Sequence, residues 1–200
     1  MNKDNILIVC ALEMETQDKL DDWEVIYTGV GKINATMKLV DRLTDYNYAR
    51  PELVINYGTA GSRKYEQGEV VDCTQFIQRD MDVTGLGFEI GQTPFEEDIP
   101  MRIQSESDFN PIGKNALCGS GDSFMKGLPY AWYKNQIGDV VDMEAYALAK
   151  VCHRYSVPFI SFKYITDGAD GDANIDWEKN VGNGIIKFKK KVLDKLKYSS

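Results

Sequence analysis

A single histidine, His153, stands in a chain of 200 residues, which excludes a metal site built on several histidines. The four cysteines, Cys10, Cys73, Cys118 and Cys152, lie far apart and form no Cys-x-x-Cys pair. Zinc-ribbon and dithiol chemistry are therefore removed, and buried, reduced thiols are the expectation. No stretch approaches the ~20 apolar residues of a membrane span. No secretory leader is expected ahead of the apolar run at residues 6–12. Basic residues are in deficit, 23 Lys and Arg against 31 Asp and Glu, for a formal charge of -8. A phosphate-tracking surface needs the opposite balance. The expectation is a cytoplasmic protein without nucleic-acid or membrane partners, metal or cofactor. No repeat, low-complexity tract or linker divides the chain, so residues 1–200 read as a single domain.

What is present alternates between apolar runs and amphipathic stretches. Residues 6–12, 24–27, 53–57, 69–77, 116–118, 140–143 and 158–165 read as strands. The first is a continuous apolar run, the pattern of a strand buried on both faces, and the third reads as another buried strand. Residues 13–20, 144–155 and 177–196 read as helices, as does a segment placing Ile33, Met37, Val40 and Leu43 on one face. In the last helix, lysines alternate with Ile186, Phe188, Val192 and Leu196, a solvated face over an apolar one, and Gly182 and Gly184 mark a start or a kink. The fold class is α/β: a three-layer α/β/α domain with a mixed, mainly parallel central sheet.

Three carboxylates fall where such strands run out: Glu15, Glu144 and Asp167. Strand ends in an α/β sheet are where side chains leave the core and converge on a crevice. Two glycine segments, Gly29-Val30-Gly31-Lys32 and Gly58-Thr59-Ala60-Gly61-Ser62, fall on the same rim and read as tight turns that let backbone amides approach a ligand. Neither has phosphate-loop or dinucleotide spacing. Each acid alone could instead serve a helix N-terminus, Glu144 most obviously. Together they meet the demand of glycosidic cleavage, which needs one acid for the leaving group, one base for water and a partner for the charged sugar. The acidic run Asp170, Asp172, Asp176 lacks the ligand spacing of a calcium loop and reads as a solvated loop and helix cap, with a minor ligand role open to Asp170.

Six segments in order carry a family resemblance: Ala11-Leu12-Glu13-Met14-Glu15, Thr28-Gly29-Val30-Gly31-Lys32, Asn56-Tyr57-Gly58-Thr59-Ala60-Gly61, Ser120-Gly121-Asp122-Ser123-Phe124, Val141-Asp142-Met143-Glu144-Ala145 and Thr166-Asp167. The chain resembles the nucleoside phosphorylase/nucleosidase superfamily, and within it the 5′-methylthioadenosine/S-adenosylhomocysteine nucleosidases. The resemblance implies that Glu15 activates water and Asp167 protonates N7 of adenine. Glu144 would bind the ribose hydroxyls over Met143, and Thr59 and Lys163 would position the water. Phe124 would stack on adenine while the main chain of Met125 reads its edge. Leu12, Val30 and Trp177 would line the 5′ pocket, and Leu86, Phe88 and Pro94 would enter a neighbour's pocket in a homodimer. The reaction implied is hydrolysis of the N-glycosidic bond of a 5′-substituted adenosine. Phosphorylases of the superfamily place an arginine where this chain has Asn56, and a phosphate dianion without guanidinium partners is poorly held. A purine nucleoside phosphorylase and a catalytically silent nucleoside-binding homologue stay open as alternatives.

The chain departs from the family pattern in three places. Lys163 replaces an arginine usual in bacterial members, the Glu15 to Thr28 interval is short, and the segment containing Leu128-Pro129-Tyr130-Ala131-Trp132-Tyr133 is unusual.

Overall fold

The computed structural model describes residues 2–127 and 138–197; the Leu128 to Tyr133 segment lies outside them. The strands are β1 (Ile6–Cys10), β2 (Glu24–Tyr27), β3 (Leu53–Gly61), β4 (Val70–Gln78), β5 (Ile103–Gln104), β6 (Ala116–Ser120), β7 (Val140–Asp142) and β8 (Phe159–Asp167). The helices are α1 (Glu13–Thr16), α2 (Lys32–Thr44), α3 (Ala145–Tyr155), α4 (Ala173–Asn180) and α5 (Ile185–Lys191).

The continuous apolar run is explained by the layers. Leu7 and Val9 of β1 face one core with Ala35 and Leu39 of α2 and Leu148 of α3. Ile6, Ile8 and Cys10 face a second core with Ile185, Phe188 and Leu193. Alternate residues of β1 thus enter opposite cores, which is why its five residues are all apolar. In the second core Tyr57 stacks on Phe188 at 4.3 Å between ring centroids. All four cysteines are buried and free.

Five of the eight strand pairings are parallel, so the sheet is mixed and mainly parallel. It also closes on itself, a feature that hydrophobic patterning did not show. β3 pairs with β8, β8 with β4, β4 with β6, and β6 with β7; β7 returns to β3 through Gly61 and Val141. β1 and β2 extend this ring on one side, and β5 is added at β4.

Several local expectations are corrected. The first helix ends at Thr16 rather than near residue 20, because Gln17 and Asp18 both take left-handed backbone angles (φ 50° and 54°). On α2 the buried residues are Ala35 and Leu39, whereas Ile33 and Met37 are 72% and 61% exposed. The expected helix over residues 177–196 is two helices, α4 and α5, separated by the Gly182 to Gly184 segment. A Cβ on Gly184 would lie 2.3 Å from the Tyr164 ring and 2.6 Å from the Tyr57 hydroxyl, so close packing demands glycine there. Phe188, Val192 and Leu196 are buried, but Ile186 is exposed and Ile185 takes its place. The segment 58–61 is no turn; β3 runs through it to Gly61.

Candidate active site

A cavity of about 320 Å³ opens at the rim where β1, β3, β7 and β8 end, and Glu15, Thr59, Glu144, Asp167, Phe124 and Trp177 are on its wall. Leu12, Val30, Met125 and Met143 also line it. Residues drawn from the whole length of the chain therefore meet at one place. Lys163, Leu86, Phe88 and Pro94 are not on this wall.

Glu15 is buried at the third position of α1 and reaches back over the helix start. Its Oε2 accepts from the Ala11 and Leu12 amides at 3.2 and 3.0 Å. Its Oε1 accepts from the Thr59 amide at 2.8 Å and the Thr59 hydroxyl at 3.0 Å. Four donors on two oxygens suit an acceptor-only group and fix its orientation. The short link to β2 does not displace it: the left-handed pair Gln17 and Asp18 turns the chain directly after α1. A Cβ on Gly58 would stand 3.2 Å from Glu15 Oε1, so the missing side chain makes room for this carboxylate.

Asp167 is placed by an irregularity. Opposite β3, Ala60 pairs with Ile165 and Gly61 with Asp167, leaving Thr166 as an extra residue in β8. Such a bulge re-aims the next side chain. A Cβ on Gly61 would lie only 2.6 Å from Asp167 Oδ1, so here too glycine is dictated by an acid. Asp167 Oδ1 accepts from the Ala169 amide at 2.9 Å and Oδ2 from the Thr166 hydroxyl at 2.8 Å. Burial among few donors raises its carboxyl above the usual range, against the pull of those two bonds.

Glu144 is the N-cap residue of α3 but makes no side-chain capping bond. Asp142 and Ser120 do that work: Asp142 Oδ2 accepts from the Ala145 amide and Ser120 Oγ from the Tyr146 amide. Glu144 is thereby released to the cavity, where Oε1 accepts from the Gly31 amide at 2.8 Å. Gly29 and Gly31 do have positive φ, 78° and 96°, so this turn presents its amide as expected of glycine. Among the described residues Glu144 Oε2 receives no hydrogen bond, and it is the oxygen left for a ligand. Burial, then the neighbouring Asp142, pushes the Glu144 carboxyl up to about 7.

Lys163 is fully buried and pairs with Asp142 at 2.7 Å. Burial opposes its charge, but the Asp142 carboxylate outweighs that and raises its pKa. Asp142 is correspondingly held below its usual range, burial being overcome by Lys163, Ser120 and the Ala145 amide. Lys163 Nζ lies 3.4 Å from the same Gly58 Cβ point that is 3.2 Å from Glu15 Oε1. The cation therefore sits behind the Glu15 end of the cavity rather than on its surface.

Arg79, unnoticed in the sequence, lines the cavity directly after β4. Its guanidinium donates to the Gly121 carbonyl at 3.2 Å, to the Ser123 carbonyl and to the Ser123 hydroxyl at 3.1 Å, and so holds the loop that carries Phe124 and Met125. The strand-end rule that located the acids also covers an Arg following a buried strand. Next to it, Lys32 bridges Asp80 and Asp122, tying three rim segments together. Asn56 is turned away from the site: it donates to the Val9 carbonyl and accepts from Ser161 within the sheet. No cluster of three or more metal-ligating side chains occurs among the described residues, and Asp170 is exposed on a turn leading into α4. Leu86 is 72% exposed, and Phe88 meets Phe95 edge to face away from the chain's own cavity.

A ring-closed α/β sheet with strand-end acids around one cavity defines a class. The model of the Phosphorylase superfamily matches residues 23–196, and the chain belongs to that family. Curated relatives that it resembles include nucleosidases. The 5′-methylthioadenosine/S-adenosylhomocysteine nucleosidase of Staphylococcus haemolyticus is 33% identical, the match covering 82% of this chain and 77% of that one. The enzyme of the same name from Bacillus thuringiensis subsp. konkukian is 32% identical over 91% of this chain and 86% of that one. Among solved structures, the S-adenosylhomocysteine nucleosidase of Streptococcus pyogenes in complex with 5-methylthiotubericidin superposes with a TM-score of 0.78 at 22% identity, covering 96% of this chain and 97% of the other. The futalosine hydrolase of Helicobacter pylori superposes with a TM-score of 0.80 at 20% identity, covering 96% and 97%.

Proposed function

We propose that this protein hydrolyses the N-glycosidic bond of a 5′-substituted adenosine, 5′-methylthioadenosine or S-adenosylhomocysteine, and releases adenine. The observation that carries the reading is the pair of buried acids on one cavity in unlike surroundings, Glu15 among four donors and Asp167 with its carboxyl raised by burial. Cleavage builds positive charge on the ribose and negative charge on the departing base. Glu15 takes the proton of the attacking water, with Thr59 beside it, while Lys163 supports that end through its charge. Asp167 delivers a proton to N7, so adenine leaves neutral. Glu144 accepts from the ribose hydroxyls above Met143, Phe124 stacks on the base, and the Met125 main chain reads its edge. Leu12, Val30 and Trp177 enclose the 5′ group.

Water rather than phosphate is the nucleophile. The one guanidinium on the described cavity wall, Arg79, is committed to the 121–123 loop, and Asn56 faces the sheet. Purified protein incubated with 5′-methylthioadenosine in phosphate-free buffer is expected to release adenine at an ordinary enzymatic rate, ~1–10³ s⁻¹. Adenine release that requires phosphate, with ribose 1-phosphate as co-product, overturns hydrolysis; tight binding without turnover overturns the enzyme altogether.

The reading includes a homodimer working in the cytoplasm, where unpaired interior thiols stay reduced. The exposed Ile33 and Met37 of α2 border a groove with Tyr146 and Val151 of α3, an apolar surface that a second copy covers. Leu86, Phe88 and Pro94 then complete the partner's 5′ pocket. Light scattering is expected to give the mass of two chains for the wild type and one for Ile33→Asp with Met37→Asp; a monomeric wild type sinks this part.

A further inference from the structure

Trp177 of α4 lines the cavity, yet its most specific contact is polar. The indole Nε1–H donates to Thr59 Oγ1 at 3.0 Å. The same hydroxyl is 3.0 Å from Glu15 Oε1, which also accepts from the Thr59 amide at 2.8 Å. A hydroxyl has one proton and two lone pairs. The indole can only donate and the carboxylate can only accept, so the direction of both bonds is determined. The Thr59 proton is committed to Glu15, one lone pair is filled by the indole, and one remains for water. Bonds in such a chain polarise one another, which strengthens the hold on the carboxylate. The ring of Trp177 also meets Phe124 edge to face at 6.5 Å and 75°.

A phenylalanine would wall the cavity as well and would meet Phe124 as well, but it has no N–H. We infer that Trp177 is a positioning residue for water activation: its indole N–H locks the Thr59 hydroxyl in the orientation that holds Glu15 and leaves a lone pair for the nucleophile. The inference rests on the hydrolase reading for what Glu15 and Thr59 do. It adds that one side chain of the 5′ pocket sets the geometry of the base, so the group at the 5′ position is felt at the water.

The test is a double-mutant cycle on adenine release with Trp177→Phe, Thr59→Val and the two combined. Trp177→Phe is expected to lower kcat by about 3- to 10-fold, the loss of one neutral hydrogen bond, with KM for 5′-methylthioadenosine changed by less than about 2-fold. In the Thr59→Val background the same change is expected to leave kcat unaltered. An equal loss in both backgrounds, or a change confined to KM, overturns the inference, because it makes Trp177 a wall alone. Hydrogen exchange at the Trp177 indole nitrogen gives a readout independent of turnover: slow in the wild type and faster in Thr59→Val is expected, and no difference overturns the bond itself. Wild-type turnover is measured separately, so a silent wild type counts against the hydrolase reading while the indole exchange still reports on the positioning contact.

Discussion

At the Glu15 end of the cavity, two amides from the start of α1 and both donors of Thr59 converge on one carboxylate. At the Asp167 end each oxygen receives a single bond, and Ala169, Met125 and Val141 form a small apolar cluster nearby. β3 serves both ends, with Gly58 beneath Glu15 and Gly61 beneath Asp167. The chemistry of the two residues is nearly the same, so their surroundings are what set them apart. Four donors hold the Glu15 carboxylate in one orientation, whereas a carboxyl raised by burial, as at Asp167, is suited to give a proton up.

The largest test of that contrast removes each acid. Asp167→Asn and Glu15→Gln are each expected to lower kcat by ~10²–10⁴-fold on 5′-methylthioadenosine. With a ribosyl aryl ether whose phenolate leaves without a proton, Asp167→Asn should recover most of its loss and Glu15→Gln none; equal recovery would erase the distinction. The glycines give the next effect. Gly61→Ala, with its Cβ 2.6 Å from Asp167 Oδ1, should cost more activity than Gly58→Ala, whose Cβ lies 3.2 Å from Glu15 Oε1. Displacing an acid by about 1 Å costs on the order of 10² in rate, so about 100-fold against about 10-fold is expected. Kinetics on both variants check the order, and a reversal breaks the comparison.

Glu144 lies beyond the Asp167 end of that contrast, with one donor and the charged Asp142 as neighbour. Its carboxyl sits at about 7 in the folded protein against an ordinary 4.5, so the folded state binds the extra proton between those values. Stability contributed below pH 4.5 is then lost as pH rises through about 7. Glu144→Gln should therefore stabilise the protein more at pH 8 than at pH 5, by on the order of 1–3 kcal/mol, as read by thermal melts. Equal shifts at the two pH values would remove Glu144 from the donor-poor side of the contrast. The smallest effect concerns the turn after Glu15. Asp18→Gly relieves a left-handed angle and should add about 0.5 kcal/mol while leaving kcat unchanged. A fall in kcat would mean that the turn, and not only the four donors, sets Glu15.

The strands and the rim were legible because their causes are local. A continuous apolar run such as that of β1 reports burial on two faces, and acids at the ends of such runs report the rim. Ring closure was not legible, since β8 enters between β3 and β4 over separations of about a hundred residues that periodicity does not encode. What surrounds Gly58 and Gly61 was hidden for the same reason: a Cβ would crowd Glu15 at the first and would meet Asp167 and Ala169 at the second. Ile33 and Met37 had the right spacing for a core face together with Val40 and Leu43, yet only the latter two pack against the first core, and α2 turns Ala35 and Leu39 fully inward. Arg79 was passed over because the loop it holds lies over forty residues away in sequence, from Gly121 to Ser123.

The closed circuit of strands acts mechanically as a hoop. An open sheet can relieve a push at one strand by fanning its edge, but in a ring the displacement of any strand must be taken up by its neighbours on both sides. β3, β7 and β8, which end at Asp142, Asp167 and the two glycines, are all members of that hoop, whereas Glu15, Phe124 and Trp177 hang from segments outside it. The wall built on the ring and the wall built outside it are thus different parts of the chain. β8, which carries Asp167 at its end, is braced by a strand on either side, whereas Glu15, Phe124 and Trp177 are carried by segments the ring does not brace.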